Sequence, residues 1–478
     1  MQLSKITMVS WSCLWLACAC APQVRLPSPD VRLPERFEQR PDAAPIDLDR
    51  WWDRFDDPQL AALVTTALDR STTIRIAWSR LAEARAQRAA TAAGTLPSGS
   101  LTVGGSRQGQ EALWGNGASI PASNSYTAGF FPSWDVDLFG RLAAVRTRAR
   151  LDLAASSMDF AATRLALAAD VATALVQARS LAAQLADARE SAGITGKLAA
   201  SARLGVARGL SARQDLARLE ADAASSEAEV ARLDAELTAA KRLLLIQTGE
   251  PDAPTTSLAI AGALPTPPAL PDLAPASLLA RRPDVRSAEL ALRSAAKQVT
   301  IDRLSLYPSF NLKPGAQAIA SDAGGAGLWS IAAGMAVPVL DRPRLMANLR
   351  LSEARGGTAV YSYEAKVRTA FGEAANALTR IAADRTRVSR QQVASTQADA
   401  AFAAARTGYA AGLTDLTTLL QAERTAIQNR SALTAARTAH LVDTISAIRA
   451  LGGGWTPSSA PSFADTSPAA LVPVPEHP

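Results

Sequence analysis

Side chains that carry chemistry are scarce in this 478-residue chain: it has two histidines, His440 and His477, and three cysteines, all within the first twenty positions. That stock builds no zinc spacing, thiol–histidine pair or Gly-rich phosphate loop, so neither a metal centre nor a nucleophilic active site is expected. Paired carboxylates in a pocket are also missing. The acidic residues are spread over helical patterns at salt-bridge spacing, which weighs against an exported enzyme acting on cell wall. Aromatics are only 5% of the chain. The net charge of +6 comes from 50 Lys and Arg interspersed with 44 Asp and Glu. Interspersed charge describes a solvated helical surface better than a nucleic-acid patch.

What is present is alanine and leucine, a composition that favours long, closely packed helices. The N-terminus reads as an export signal: Lys5, then the apolar run Ile6–Ala19, too short to span a membrane as a helix. The run ends Leu16-Ala17-Cys18-Ala19-Cys20, with small residues before a cysteine. This resembles a bacterial lipobox, which would place acyl chains on Cys20, with Cys18 as second choice. An ordinary signal peptide with incidental cysteines is the alternative.

The remainder reads as one unit written twice. Residues 1–19 form the signal and 20–57 an extended leader. Residues 58–250 form repeat 1, 251–276 a Pro-rich connector, 277–455 repeat 2, and 456–478 a tail whose composition favours disorder. Each repeat opens with a helix, over Pro58–Ala93 or Leu278–Leu304, the first capped by Asp57 with Pro58 at its first position. Two strand-like stretches follow. In one, Tyr126, Ala128, Phe130, Pro132, Trp134, Val136 and Leu138 alternate with Ser125, Thr127, Gly129, Ser133, Asp135 and Asp137, and Phe131 breaks the pattern. Then comes a long helix, Arg141 to about Ala202, whose length at 1.5 Å per residue is about 90 Å and belongs to a rod or barrel. A Gly turn and a second helix, Arg213–Ile246, close the unit. The two turns align without gaps: Arg203, Gly205, Ala207, Gly209 and Leu210 fall opposite Arg406, Gly408, Ala410, Gly412 and Leu413.

Two strands per repeat give four per chain, too few to close a barrel, and open strand edges are not tolerated in lipid. The expected fold class is therefore mostly α, with a transmembrane β-barrel contribution. Spanning a membrane would take several copies, of which three would supply twelve strands, and the long helices would continue from the barrel as a rod.

At the level of motifs the chain resembles outer-membrane factors, the TolC-like, NodT-type lipoprotein group of tripartite RND-type efflux systems. The resemblance runs from Cys20 to Trp455. It is carried by Trp51-Trp52-Asp53-Arg54-Phe55-Asp56-Asp57-Pro58, Trp134-Asp135-Val136-Asp137-Leu138-Phe139-Gly140-Arg141, Arg282-Pro283-Asp284-Val285-Arg286, Tyr307-Pro308-Ser309 and Ala450-Leu451-Gly452-Gly453-Gly454-Trp455. The resemblance implies a homotrimer in which four strands per chain complete a twelve-stranded barrel and long helical hairpins form a periplasmic α-barrel. Such an assembly is an exit duct in the outer membrane, lipid-anchored and extending into the periplasm. It also implies a periplasmic membrane-fusion adaptor and an inner-membrane pump as partners, with no cofactor and no enzymatic activity. Adaptor docking would fall on the hairpin tips: Val206, Arg208, Gly209, Leu210 and Ser211 on the first, Tyr409, Gly412, Leu413 and Thr414 on the second. The same glycines also read simply as helix caps.

The family pattern has aspartates just after the second tip that narrow the entrance. Here the aligned positions hold Thr418 and Gln421, and the nearest carboxylate is Asp415. An Asp415 carboxylate ring and a solvated surface aspartate both stay open. A lipid-anchored coiled-coil scaffold without a pore is the rival reading, and it leaves the four alternating stretches unexplained.

Overall fold

The computed structural model describes residues 26–39, 50–110, 120–209, 212–270 and 274–453. Cys18, Cys20, Leu210, Ser211, Trp455 and the tail 456–478 lie outside the described residues. Helices α1 (Pro58–Arg70) and α2 (Thr72–Ala93) come first, then strands β1 (Ser98–Gln110) and β2 (Ile120–Val136). The hairpin of α3 (Arg141–Ala207) and α4 (Arg213–Gln247) completes the first pass. The second pass is a one-turn helix Leu278–Arg281, α5 (Pro283–Leu304), β3 (Ser309–Ser321), β4 (Gly324–Ala336), α6 (Arg342–Ala410) and α7 (Leu416–Ala450).

Each opening helix, expected as continuous, is broken in two at equivalent places, Ser71 and Arg282. At the second break Pro283 holds Arg282 in an extended conformation, ψ 117°, and both breaks have a glycine packed closely against them. Helix α4 ends at Gly249, with φ +81°, where a Cβ would lie 2.7 Å from the carbonyl oxygen of Arg70. Helix α7 ends at Gly452, also φ +81°, where a Cβ would lie 2.9 Å from the carbonyl oxygen of Arg281. Only glycine combines that left-handed turn with such a close approach. In each repeat, then, the second arm of the hairpin abuts the break in the opening helix.

By contacts the chain divides across both repeats rather than between them. One compact unit collects Met1–Asp30, Arg80–Ser156 and Ser287–Ala365; the other collects Val31–Ser79, Ser157–Arg286 and Lys366–Pro478. The first unit holds the sheet. Its order is β1-β2-β3-β4, antiparallel throughout. The register puts Leu101, Val103, Tyr126, Phe130, Trp134, Trp329 and Ile331 on one face, and all of them are exposed. Ser100, Thr102, Thr127, Ser133, Gln317 and Ser330 lie on the other. An apolar face carrying Tyr and Trp, opposite a polar one, is the pattern of a strand wall between lipid and water. Helices of this unit meet at Val299, Leu306 and Leu349, with Leu26 of the leader packed against them.

The second unit holds the main core. Helix α3 is buried almost all round from Leu165 to Ala178, where alanines and β-branched residues let neighbouring helices approach closely. An apolar window of α3 is long enough to cross a membrane, yet 67% of it is buried, which marks a core helix. Trp51, Trp52 and Phe55, on one 3₁₀ turn, are buried in this core. Phe37 of the leader stacks on Phe371 of α6 at 5.6 Å. Leu258, Ile260 and Leu264 of the Pro-rich connector pack on the same core.

Candidate functional site: the hairpin tips and their ties

The motifs that carry the family resemblance are structural where they are buried. Asp57 caps α1, accepting from the backbone N–H of Gln59 and Leu60 at 3.1 Å each, and also receives the Arg179 guanidinium of α3, one nitrogen at 3.0 Å. Both members of that pair are at most one tenth exposed. Arg282 is likewise buried, bonded to Asp284 at 2.8 Å and Glu373 at 2.7 Å, and Lys366 reaches Asp284 at 3.1 Å. Burial pushes the Asp284 carboxyl up, but the two cations outweigh it and hold it at about 2. Asp137, from the motif that leads into α3, accepts from the N–H groups of Leu142 (3.0 Å) and Ala143 (2.8 Å). These residues fix the elements that carry the tips; among the described residues no cluster of three or more His, Cys, Asp or Glu is arranged to hold a metal.

The first tip turns at Gly209, φ +74°, whose N–H donates to Val206 O at 3.0 Å. Arg208 and Gly209 are exposed and Val206 is partly so. At the second tip Gly412, φ +73°, donates to Tyr409 O (3.0 Å), and Leu413 donates to Gly408 O (2.8 Å). This doubled closure ends α6 with a left-handed cap and points Leu413 outward, 82% exposed. Thr414 folds back, its hydroxyl donating to Ala405 O at 3.2 Å.

Asp415 is the N-cap of α7, accepting from Thr418 N–H at 2.8 Å. The Thr418 hydroxyl first, and then its N–H, hold the exposed carboxyl below the usual carboxylate range, so it stays ionised. Thr418 and Gln421 are exposed on the first turns of α7.

The sequence did not reveal how the two hairpins are tied. Behind the tips, α4 and α7 are joined by Arg218 to Thr417 Oγ1 at 3.2 Å and by an Arg424–Asp222 ion pair. Arg430 of α7 bonds Glu190 of α3 at 3.2 Å and Asp399 of α6 at 2.7 Å. Glu220 and Glu423, opposite each other in the repeat, have different surroundings. Glu220 is on the surface, paired with Arg203 at 2.6 Å. Glu423 is 97% buried, accepts from Ser191 of α3 at 3.3 Å, and is pushed up by burial and by the neighbouring Asp222 and Glu190. It lines a cavity of about 380 Å³ between α3, α4 and α7, which also holds Asp187 and Asp222. Local periodicity gives no signal for such ties, because their partners lie roughly two hundred residues apart in sequence.

Comparison with known proteins fits this arrangement. A family model for outer membrane efflux proteins matches residues 63–249 and 274–453. Outer membrane protein OprJ of Pseudomonas aeruginosa is 30% identical over 464 residues, covering 92% of this chain and 93% of that protein. SilC of Salmonella typhimurium, a probable outer membrane lipoprotein, is 25% identical over 94% of this chain and 99% of its own length. The solved structure of CusC, 28% identical, superposes with a TM-score of 0.79 over 91% of this chain and all of that one.

Proposed function

The chain belongs to the outer membrane efflux protein family, and from that premise we propose how its parts divide the work. It is an outer-membrane channel of a tripartite efflux system, a passive exit duct that extends into the periplasm. Three copies supply twelve strands, so that the β1 and β4 edges, open in one chain, pair with those of neighbouring copies. Acyl chains on Cys20 anchor the leader to the membrane; the leader itself packs on the helices through Leu26 and Phe37.

The tips, turned at Gly209 and Gly412, receive the hairpins of a periplasmic adaptor, which in turn joins an inner-membrane pump. Exposed Leu413 and Tyr409, with Val206 and Arg208, are the contact residues. At the entrance, Asp415 gives each copy one fixed carboxylate, favouring cations, while the α4–α7 ties hold the hairpins together. Cargo class belongs to the pump in the first instance: the relatives named above include a cation efflux protein, CusC.

The observation that carries this reading is the two-faced, four-stranded sheet, whose outer edges have no strand partner among the described residues. Purified protein reconstituted in a planar bilayer is expected to pass discrete ionic currents. Intact folded protein that passes none would overturn the channel and favour a pore-less scaffold.

A further inference from the structure

One aromatic side chain interrupts the polar face of the sheet. Phe131 shares that face with Ser100, Thr102, Thr127, Ser133, Gln317 and Ser330, and among the described strand residues it is the only aromatic there. Two glycines make room for it. A Cβ at Gly129 would fall 2.5 Å from the ring, and one at Gly315 would fall 3.1 Å from it. The ring therefore lies flat over β2 and β3 and buries Gly129, while 46% of Phe131 stays open to solvent.

The neighbouring ladder rows continue the apolar step. Gln317 pairs with Leu328, which is 52% exposed, and Thr127 pairs with Ile319. Covering glycines with an aromatic ring stabilises a sheet, which accounts for the inner side of the ring. It does not account for the outer side, nor for Leu328 beside it, on a face whose other side chains are small or polar: hydroxyls, amides, Asp135, Lys313, alanines and glycines, with Ile319 the one further large apolar residue. Because β2 and β3 are the inner strands of the four, copies joining at β1 and β4 leave this patch uncovered.

We propose that Phe131, with Leu328 and Ile319, is a cargo-contact ring in the barrel lumen, repeated in each copy, and that the cargo it fits is flat and aromatic. The inference rests on the channel reading above, which makes the polar face the lumen. Flat aromatics stack on an exposed ring with a preference that aliphatic groups of equal bulk lack. The small side chains around it leave the space such a molecule needs.

The test uses single-channel currents across a planar bilayer, blocked from the outer side by two monovalent cations of comparable bulk. Rhodamine 6G is flat and aromatic; tetrapentylammonium is aliphatic. Phe131→Ser is expected to shorten the dwell time of rhodamine by roughly two- to tenfold, the worth of one aromatic contact, and to leave that of tetrapentylammonium nearly unchanged. Phe131→Leu still covers Gly129 and Gly315, so the barrel holds, and it too is expected to lose the aromatic preference. Unchanged rhodamine dwell times in both variants, or equal shortening for both blockers, overturn the proposal. Absence of any current from the wild-type protein overturns the channel reading and this inference with it.

Discussion

Replacing Asp57 by alanine removes two interactions with one atom group, and the structure sets their sizes. The carboxylate caps α1 through the N–H groups of Gln59 and Leu60, and losing such a cap costs about 1 kcal/mol. It also neutralises Arg179, which is left buried with Gln59 Oε1 at 2.9 Å as its remaining side-chain acceptor. A buried charge stripped of its partner costs about 3–5 kcal/mol, so Asp57→Ala should destabilise the helical unit by about 4–6 kcal/mol. Arg179→Met leaves Asp57 with its two backbone donors, and about 3 kcal/mol is expected. The double variant buries no unpaired charge and should lose only the cap, about 1–2 kcal/mol.

The order of denaturation midpoints in detergent, followed by the fluorescence of the nearby Trp51 and Trp52, reads this out without requiring two-state unfolding. Hydrogen exchange adds a local check: the Gln59 and Leu60 amides should lose protection in Asp57→Ala and keep it in Arg179→Met. A double variant as unstable as Asp57→Ala alone would refute the reasoning, since it would show that the unpaired guanidinium is not what costs.

Further outcomes concern the tips and the pH response. Arg218→Ala with Arg424→Ala removes both α4–α7 ties, worth roughly 1.5 kcal/mol per chain given their exposure. If three copies open together, the open state gains about 4–5 kcal/mol, a shift on the order of a thousandfold, seen as a large rise in open time in bilayers; unchanged open time would show that the ties do not hold the entrance. Asp384 of α6 is buried against Asp443 of α7, with one oxygen lacking any partner among the described residues. Burial first, then the adjacent carboxyl, raise it to about 6 from an ordinary 3.8, despite Arg387 and Arg380. The folded chain thus holds the proton more tightly, so stability from this pair is full below the ordinary value and is lost as pH rises through about 6. Asp384→Asn should raise the thermal midpoint at neutral pH and shrink the gain on mild acidification; an undiminished gain would place the pH response elsewhere.

Much of this molecule is legible from local pattern. Period-two alternation marked β2, helical length marked the hairpins, and the gap-free alignment of the two Gly turns located both tips. The break at Ser71 was not legible in local pattern, whereas Pro283 marks the one at Arg282 in the sequence itself; the glycines packed against the two breaks, Gly249 and Gly452, lie far away in sequence. The unlike surroundings of Glu220 and Glu423 were hidden for a related reason. Duplicated sequences predict equal surroundings, yet one glutamate faces solvent and the other the opposing hairpin. Phe131 was visible only as an exception to alternation. The register, and the space above Gly129 and Gly315, explain how a bulky ring sits on a polar face.

The central claim is that one chain cannot close its sheet and three can. Protein extracted from the outer membrane in mild detergent and weighed by native mass spectrometry tests it most directly. The account predicts one dominant species with the mass of three chains, and a stable monomer or dimer that still spans the membrane would contradict it.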